Sequence, residues 1–229
     1  MKRNTMSKNE TKAIVLLSGG LDSVVSLALE KNVTLALTFD YGQKSAAKEI
    51  EASSKIAKYY GIEHKVIKLD WLKEITHTAL CSNEEVPTGE ALKNSDQSAK
   101  SVWVPNRNGL FLNIAGAFAD ADGYTNIIIG ANKEEAQTFP DNTQEFITRV
   151  NEEFEFSTRV RPKVIAPLID CDKPEIVRIA LEKKVPLHLL NSCYKNTPKH
   201  CGICESCVRL KRALEANNDS VYIKQLFEE

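Results

Sequence analysis

The chain has 229 residues, a formal net charge of −1 and 42% hydrophobic residues, which is ordinary for a globular protein with a sizeable core. A charge balance this close to zero argues against a broad basic or acidic surface, so we expect neither a nucleic-acid partner nor a membrane surface. The polar start MKRNTMSKNETK lacks a signal-peptide core, and no later apolar run is long enough to span a bilayer. We therefore expect a cytoplasmic protein whose six cysteines stay reduced.

Strand and helix patterns alternate along most of the chain. We expect a flexible leader at 1–11, an α/β domain at 12–185 and a separate C-terminal region at 186–229. Short aliphatic and β-branched runs predict strands at 13–17, 33–40, 64–70, 125–132 and 163–170. Helical spacing predicts helices at 22–32, 45–61, 107–123, 141–157, 173–185 and 205–217. This order predicts a doubly wound, mostly parallel sheet with ligands at the carboxyl ends of its strands.

Local signals refine three of these helices. Gly61 is predicted to end the helix at 45–61, Asp141 to cap the helix at 141–157, and Pro174 to lie in a first helical turn. The stretch from about 75 to 105 has no clear period, and a loop of that length in a compact domain usually has a function or is mobile.

The stretch SGGLDS follows the first predicted strand and opens the first predicted helix. The first amides of a helix lack intrahelical partners and carry partial positive charge, so an anion such as phosphate can bind there. Gly19 and Gly20 allow close approach of a ligand, and Ser18 and Ser23 can donate hydroxyl groups. A carboxylate beside phosphate needs a bridging cation, which predicts Mg²⁺ at Asp22. A plain strand-to-helix turn is the alternative; the Walker A and G-x-G-x-x-G patterns both fail here.

Four of the six cysteines lie close together near the C-terminus, at Cys193, Cys201, Cys204 and Cys207. Four thiolates at knuckle spacing fit a tetrahedral zinc ion, and with all four positions filled the ion is structural. A [4Fe–4S] cluster also takes four cysteines, and spacing alone does not exclude it. We favour zinc because the four ligands form one compact group near the C-terminus. The neighbouring His200 is interpreted as a bystander.

The SGGLDS stretch resembles the pyrophosphate-binding loop of the PP-loop ATP pyrophosphatases, whose fold is of the adenine nucleotide alpha hydrolase-like kind. Members of that group adenylate a carbonyl or carboxylate oxygen with ATP, and a nucleophile such as ammonia then displaces AMP. The loop is specific for this chemistry but leaves the substrate open.

Further segments resemble the family of 7-cyano-7-deazaguanine synthases: TFDYGQ at 38–43, VPNRN at 104–108, the GAN…FPD stretch at 130–141, and the four cysteines. This resemblance covers the chain from Ala13 to about Ala213. It implies a ligase of queuosine biosynthesis that converts 7-carboxy-7-deazaguanine and ammonia to the nitrile with ATP. The family is often dimeric, so a homodimer is expected; the source of ammonia is left open.

The resemblance implies roles for individual residues. Asp22, Ser23 and Arg107 are the expected catalytic residues, with Arg107 as counter-charge to a carboxylate or phosphate. The expected ATP-binding residues are Leu17, Ser18, Gly19, Gly20, Leu21, Asp22, Ser23, Val24, Val25, Ser26, Leu27, Thr38 and Asp40. The expected substrate-binding residues are Tyr41, Gln43, Arg107, Asn132, Phe139 and Asp141, where Phe139 and Asp141 would contact the deazaguanine ring.

This sequence departs from the family pattern at Ser45, Glu135, Phe139 and Asn142. Three alternatives therefore stand beside the synthase: a tRNA-thiolating PP-loop enzyme, a paralogue acting on a deazaguanine already in nucleic acid, and a zinc-knuckle binding module on an inactive scaffold. The near-zero net charge argues against the first, and the intact Asp22 and loop serines argue against the last.

Overall fold

A computed structural model of the chain describes residues 11–89 and 100–227. The predicted leader therefore lies, except for Thr11, outside the described residues. Within them, five parallel strands form one sheet in the order β3-β2-β1-β4-β5. The strands are β1 (Ala13–Leu16), β2 (Val33–Asp40), β3 (Glu63–Lys68), β4 (Asn126–Ile128) and β5 (Lys163–Ile165).

Helices follow the strands and cover both faces of the sheet. The first five are α1 (Leu21–Leu29), α2 (Ala46–Tyr60), α3 (Asp70–Ile75), α4 (Arg107–Asp122) and α5 (Lys133–Ala136). The remainder are α6 (Gln144–Ser157), α7 (Lys173–Glu182), α8 (Glu205–Ala216) and α9 (Ser220–Leu226). None of the helices described here is both long and apolar enough to cross a membrane. The predicted doubly wound fold is confirmed, with every described strand pair parallel.

The core has two halves, one on each face of the sheet. Alternate residues of β1 divide between them: Val15 belongs to one cluster, and Ile14 to the other. The first cluster joins α1, α2, α7 and α8, and the second joins α3, α4 and α6. Because Leu210 and Leu214 of α8 lie in the same cluster as Val24 of α1, the C-terminal region shares a core with the rest of the chain. The predicted boundary near residue 185 stays a prediction.

The strand order reverses direction at β1. The chain passes from β1 to β2 on one side, and later places β4 on the other side, so β1 and β4 flank the switch point. Loops leaving the carboxyl ends of two such strands diverge and open a crevice between them. The SGGLDS stretch follows β1 at this crevice, and Gly130 follows β4 there.

Several predicted boundaries differ from the structure. Asp141 does not cap α6; it lies in a short 3-10 turn, Pro140–Asn142, and the cap is Thr143, whose side chain accepts from the N–H of Phe146. The predicted strands at 125–132 and 163–170 pair over only three residues each. By contrast, Gly61 ends α2 at φ 67°, and Pro174 lies in the first turn of α7, as predicted.

Candidate active site

The loop between β1 and α1 is held in shape by its own serines. The N–H of Ser18 donates to Ser23 Oγ at 3.3 Å, and the Ser23 hydroxyl donates to the carbonyl oxygen of Gly20 at 3.0 Å. Gly19 has φ 78°, and a Cβ there would lie 2.8 Å from the Cβ of Ala52. The loop therefore needs glycine at 19 for both its turn and its packing against α2.

The backbone of Gly130 lies directly against the start of α1. A Cβ at Gly130 would approach the backbone nitrogen of Ser23 to 2.8 Å and the carbonyl carbon of Asp22 to 2.9 Å. The carboxyl ends of the neighbouring strands β1 and β4 therefore meet at the loop. Any side chain at 130 would push the first turn of α1 outward.

A lysine that the sequence reading missed meets the acidic residue of the loop. Lys173, the first residue of α7, places its Nζ 2.5 Å from Asp22 Oδ2 and 3.0 Å from Glu135 Oε1. The side chain of Lys173 is only 8% exposed. The other oxygen of Asp22, Oδ1, is buried and has no hydrogen-bond partner among the described residues.

Burial and the ion pairs shift these three groups in different directions. Burial raises the pKa of Asp22, and the nearby Lys173 ammonium opposes that rise without cancelling it. Burial alone would also raise the pKa of Glu135, but attraction to Lys173 outweighs it and holds that pKa below its usual range. For Lys173, attraction to both carboxylates outweighs burial and raises its pKa, so the ammonium stays charged.

A cavity of about 220 Å³ opens beside the loop. Eight of the residues predicted to bind ATP or substrate line it: Leu17, Ser18, Gly20, Leu21, Asp22, Ser23, Tyr41 and Arg107. Arg107 interacts with the hydroxyl of Tyr41, but burial outweighs this and raises the pKa of that tyrosine to about 12. The Arg107 guanidinium therefore faces a neutral phenol, and it carries an available positive charge into the cavity.

A second, smaller cavity of about 60 Å³ continues from the first. The two share five lining residues: Arg107, Glu135, Lys173, Tyr194 and Ser206. Phe139 and Asp141, both predicted substrate residues, line the smaller cavity. Trp103 stacks on Phe139 there with ring centroids 5.9 Å apart and planes 16° apart. One end of the joined space therefore presents backbone and hydroxyl donors, and the other presents aromatic faces.

Other predicted site residues do not line either cavity. Thr38 donates to the carbonyl oxygen of Leu17 at 2.6 Å, which fixes the end of β1. Asp40 accepts from the N–H of Gly42, and buried Asn132 caps α5 by accepting from the N–H of Glu135. These contacts support the walls of the site.

Gln43 and the later residues of α1 also lie behind the cavity walls. The Gln43 amide donates to the carbonyl oxygen of Phe39 at 3.0 Å and to Glu49 at 2.9 Å. Val24, Val25, Ser26 and Leu27 are buried in α1, on the core side of the loop. Gly19 contributes its backbone, since its carbonyl oxygen accepts from the N–H of Asn191.

The cavity residues that the sequence prediction lacked include Lys173, Tyr194, Trp103 and Glu49. Lys173 follows the last predicted strand, and a cation at the carboxyl end of a parallel strand was a usable signal. Glu49 lies in the first turn of α2, just after the TFDYGQ segment. Trp103 and Tyr194 lie in irregular segments, where no helical or strand periodicity indicates which way a side chain faces.

The four C-terminal cysteines come together as predicted. Their sulfur atoms all lie within 4.8 Å of one another, and Cys201 Sγ and Cys207 Sγ are 3.9 Å apart. Four thiolates bound to one ion at about 2.3 Å in a tetrahedron lie about 3.8 Å apart. The donor set and spacing therefore fit a single metal ion. His200 is not one of the four grouped residues, and its Nε2 accepts from the N–H of Ser192 at 2.9 Å.

The two residues that precede Cys193 also contact the SGGLDS loop between β1 and α1. The N–H of Asn191 donates to the carbonyl oxygen of Gly19 at 2.9 Å, and the N–H of Leu21 donates to Ser192 Oγ at 3.4 Å. Cys193 is the next residue along the chain. Two residues that bond to the loop, Asn191 and Ser192, therefore directly precede the first cysteine of the cluster.

A parallel sheet with SGGLDS at its switch point defines the PP-loop class of α/β proteins. In agreement, the U34-tRNA thiolase NcsA from Methanococcus maripaludis, solved with its [4Fe-4S] cluster, has a similar fold, with TM-score 0.50 and 18% identity. That similarity covers 96% of this chain and 70% of the thiolase. It indicates the fold only.

Sequence comparison narrows the class to one family. Residues 12–218 match the family model of the queuosine biosynthesis protein QueC, and the chain belongs to this family. It is 50% identical over 216 residues to the 7-cyano-7-deazaguanine synthase of Methanosarcina barkeri, covering 89% of this chain and 94% of the relative. It is 46% identical to the synthase of Bdellovibrio bacteriovorus, covering 98% of this chain and all of the relative.

Proposed function

We propose that this protein converts 7-carboxy-7-deazaguanine and ammonia to 7-cyano-7-deazaguanine with ATP. The main observation behind this proposal is the joined cavity. It has the SGGLDS loop at one end and the aromatic pair Trp103 and Phe139 at the other. Membership of the QueC family and relatives with this name support the choice of substrate.

The reaction proceeds in two activations. A carboxylate oxygen attacks the α-phosphorus of ATP and releases pyrophosphate; ammonia then attacks the acyl carbon, AMP leaves, and an amide remains. The amide oxygen attacks a second ATP in the same way. Loss of AMP and a proton then forms the nitrile.

The loop would hold the phosphates of ATP. Its first helical amides and the hydroxyls of Ser18 and Ser23 are the donors. The orphaned Oδ1 of Asp22 is a buried oxygen of the kind that Mg²⁺ prefers, so the chain fits that ion at this point. When bound by Asp22, Mg²⁺ would supply positive charge that offsets the repulsion between the carboxylate and the phosphates.

The aromatic end would hold the deazaguanine. Phe139 and Trp103 offer apolar faces, and Asp141 offers an acceptor for ring N–H groups. Arg107, which lines both cavities, is the counter-charge for the substrate carboxylate. Its guanidinium would orient the carboxylate toward the loop.

The four-cysteine cluster is proposed to hold a structural zinc ion through Cys193, Cys201, Cys204 and Cys207. An iron–sulfur cube places several iron atoms between its thiolates and spreads them farther apart than ligands of one ion. The separation within 4.8 Å supports the single ion. Elemental analysis tests this: one zinc per chain is expected, and stoichiometric iron with sulfide would contradict it.

We further propose that the partners are small molecules, without nucleic acid, and that the protein is a cytoplasmic homodimer. The net charge of −1 and the family resemblance support this proposal. Light scattering coupled to gel filtration should give twice the chain mass of 25.6 kDa. A tRNA added at micromolar concentration should neither bind nor change turnover.

Mass spectrometry of a reaction with zinc-loaded protein, ATP, Mg²⁺, ammonium and 7-carboxy-7-deazaguanine tests the activity. We expect the nitrile and two AMP for each nitrile, with no AMP formed when the deazaguanine is omitted. The Asp22→Asn variant should stay folded and form neither the nitrile nor AMP. Absence of both amide and nitrile with folded, zinc-loaded protein would contradict the proposal.

A further inference from the structure

A chain of hydrogen bonds runs from the edge strand β3, through β2, to the residue that precedes the SGGLDS loop. His64 Nε2 of β3 lies 2.8 Å from Thr38 Oγ1 of β2, and Thr38 Oγ1 lies 2.6 Å from the carbonyl oxygen of Leu17. Thr38 is only 1% exposed, so water does not compete for these two bonds. Leu17 is the last residue before the loop. The partly buried ring of His64 is therefore connected to the start of the loop.

The short contact between Thr38 and Leu17 decides which atoms of this chain carry hydrogens. Two oxygen atoms 2.6 Å apart repel each other unless a hydrogen lies between them, and the carbonyl group of Leu17 has none to donate. The one hydroxyl hydrogen of Thr38 therefore points at Leu17, and Thr38 Oγ1 accepts from His64. The neutral ring of His64 must then carry its hydrogen on Nε2.

The peptide between Leu17 and Ser18 transmits this orientation to the loop. Ser53 of α2 donates a second hydroxyl group to the Leu17 carbonyl oxygen at 3.0 Å. Because a peptide unit is planar, fixing the direction of the Leu17 carbonyl also fixes the direction of the Ser18 N–H. That N–H donates to Ser23 Oγ at 3.3 Å. A continuous series of bonded groups therefore leads from His64 to the hydroxyl of Ser23.

We propose that His64 is a positioning residue for the binding of ATP. Its Nε2–H orients the Thr38 hydroxyl, and the peptide that follows Leu17 carries that orientation to the phosphate donors of the loop. His64 lines neither of the two cavities, so it acts through Thr38 and not by touching a ligand. This inference rests on the proposed use of ATP at the loop. It requires a hydrogen-bond donor at residue 64, which an apolar side chain cannot supply.

Two variants of His64 separate its hydrogen bond from its packing. In His64→Leu, Thr38 loses its donor, and ATP binding with Mg²⁺ should weaken about 3- to 10-fold, the effect of one neutral hydrogen bond. His64→Gln can place an amide N–H where the ring Nε2 lies, so ATP binding should be restored to the wild-type affinity. Val66→Ala alters a residue of the same strand that is 37% exposed, and it is the matched control with unchanged ATP binding.

A double-mutant cycle tests whether the effect of His64 passes through Thr38. Thr38→Val keeps the shape of the side chain but removes the hydroxyl group, so it should weaken ATP binding by itself. Adding His64→Leu to Thr38→Val should cause no further loss, because the group on which His64 acts is already absent. Each affinity is measured by calorimetry without the deazaguanine, so turnover does not enter the comparison.

The hydrogen on the His64 ring can also be located directly in the wild type. Nitrogen-15 nuclear magnetic resonance distinguishes the two neutral tautomers, and we expect the one protonated on Nε2. This measurement requires neither ATP nor a variant, so it serves even where His64→Leu does not fold.

The outcomes separate this inference from the proposed function. The inference is wrong if the neutral ring of His64 is protonated on Nδ1, or if folded His64→Leu binds ATP as the wild type does. It is also wrong if His64→Leu and His64→Gln weaken ATP binding equally, or if the losses from His64→Leu and Thr38→Val add. If these measurements agree with expectation but no nitrile forms from the deazaguanine, the inference stands and the proposed substrate is wrong.

Discussion

The N–H of Asn191 donates to the carbonyl oxygen of Gly19 at 2.9 Å, and this bond joins the irregular segment that leads into the cysteine cluster to the loop that opens α1. Ser192 adds a second bond by accepting from the N–H of Leu21. His200 then accepts from the N–H of Ser192, beside Cys201. The cysteine cluster is therefore connected to the loop at the start of α1 by hydrogen bonds and adjacent residues.

Loss of the metal should weaken nucleotide binding as well as stability. We expect Cys204→Ser to lose the metal, to lower the Tm by roughly 2–4 °C for each kcal/mol lost, and to weaken ATP binding. The reason is that residues 191–193 lose the anchor that holds them against Gly19. Metal content, Tm and ATP calorimetry check this. Cys171→Ser, outside the cluster, is the control and should leave all three unchanged.

Removing the acceptor nitrogen of His200 should break the hydrogen bond to Ser192 without removing the metal. His200→Phe keeps a ring against Phe227, whose centroid lies 5.3 Å from that of His200, but leaves the N–H of Ser192 without its acceptor. We expect the free energy of unfolding to fall by about 1–3 kcal/mol, with metal content unchanged. Urea unfolding and metal analysis measure both. A loss of metal in this variant would mean that His200 serves the cluster directly.

A methyl group at Gly130 should disturb the loop. Gly130→Ala would bring a Cβ to 2.8 Å from the backbone nitrogen of Ser23, so the first turn of α1 must move. We expect ATP binding to fall by at least about tenfold, because the donors lose their alignment. Gly61→Ala makes a useful contrast: nothing lies within 4 Å there, but φ is 67°. That variant should cost stability of about 1 kcal/mol and leave ATP binding intact.

Glu49 should make stability depend on pH. Burial raises its pKa, opposed by bonds from Ser45 and Gln43 and by attraction to Arg107, while Asp40 adds to the rise. Its contribution to stability is therefore fully present below about pH 4 and is lost as the pH rises through the raised pKa. Glu49→Gln removes this titration, and the Ser45 hydroxyl can accept from the new amide.

The stability of the wild type relative to Glu49→Gln should accordingly fall in urea unfolding as the pH rises above about 4. Glu51, on the same helix but exposed, gives the opposite sign because Lys55 lowers its pKa. The wild type relative to Glu51→Gln should lose stability as the pH falls. A parallel pH dependence for both comparisons would contradict the assignment.

The aromatic pair should govern affinity for the deazaguanine alone. Trp103→Leu removes the ring that stacks on Phe139 and should raise the KM for 7-carboxy-7-deazaguanine about 10- to 100-fold, the loss of one stacking partner. The KM for ATP should stay unchanged, since the loop lies at the other end of the cavity. Trp71→Leu, at a residue 49% exposed, is the control. An equal rise in both KM values would point to a collapsed site.

Local features were predictable from the sequence, and contacts between distant segments were not. The loop from Ser18 to Ser23 was recognisable because its turn, its donors and its acid all lie within six residues. Lys173 was missed because its meeting with Asp22 depends on the order of strands in the sheet. Likewise, Asp141 and Thr143 both suit a helix cap, and only the turn that Pro140 begins decides in favour of Thr143.

The short β4 has a similar explanation. Its apolar run continues past Ile128, and sequence alone predicts a longer strand. The chain instead leaves the sheet before Gly130, whose backbone packs against Ser23. Packing around the loop therefore overrides the strand preference of the residues that follow.

The bond between Leu21 and Ser192 joins residues 171 positions apart, and this separation has a consequence for the newly made chain. Synthesis proceeds from the N-terminus, and early segments fold while later ones are still being added. The loop leaves the ribosome long before the residues that brace it. A product that stops short of residue 191 would lack both bonds to the loop, so we expect incomplete chains to bind ATP more weakly than the full chain.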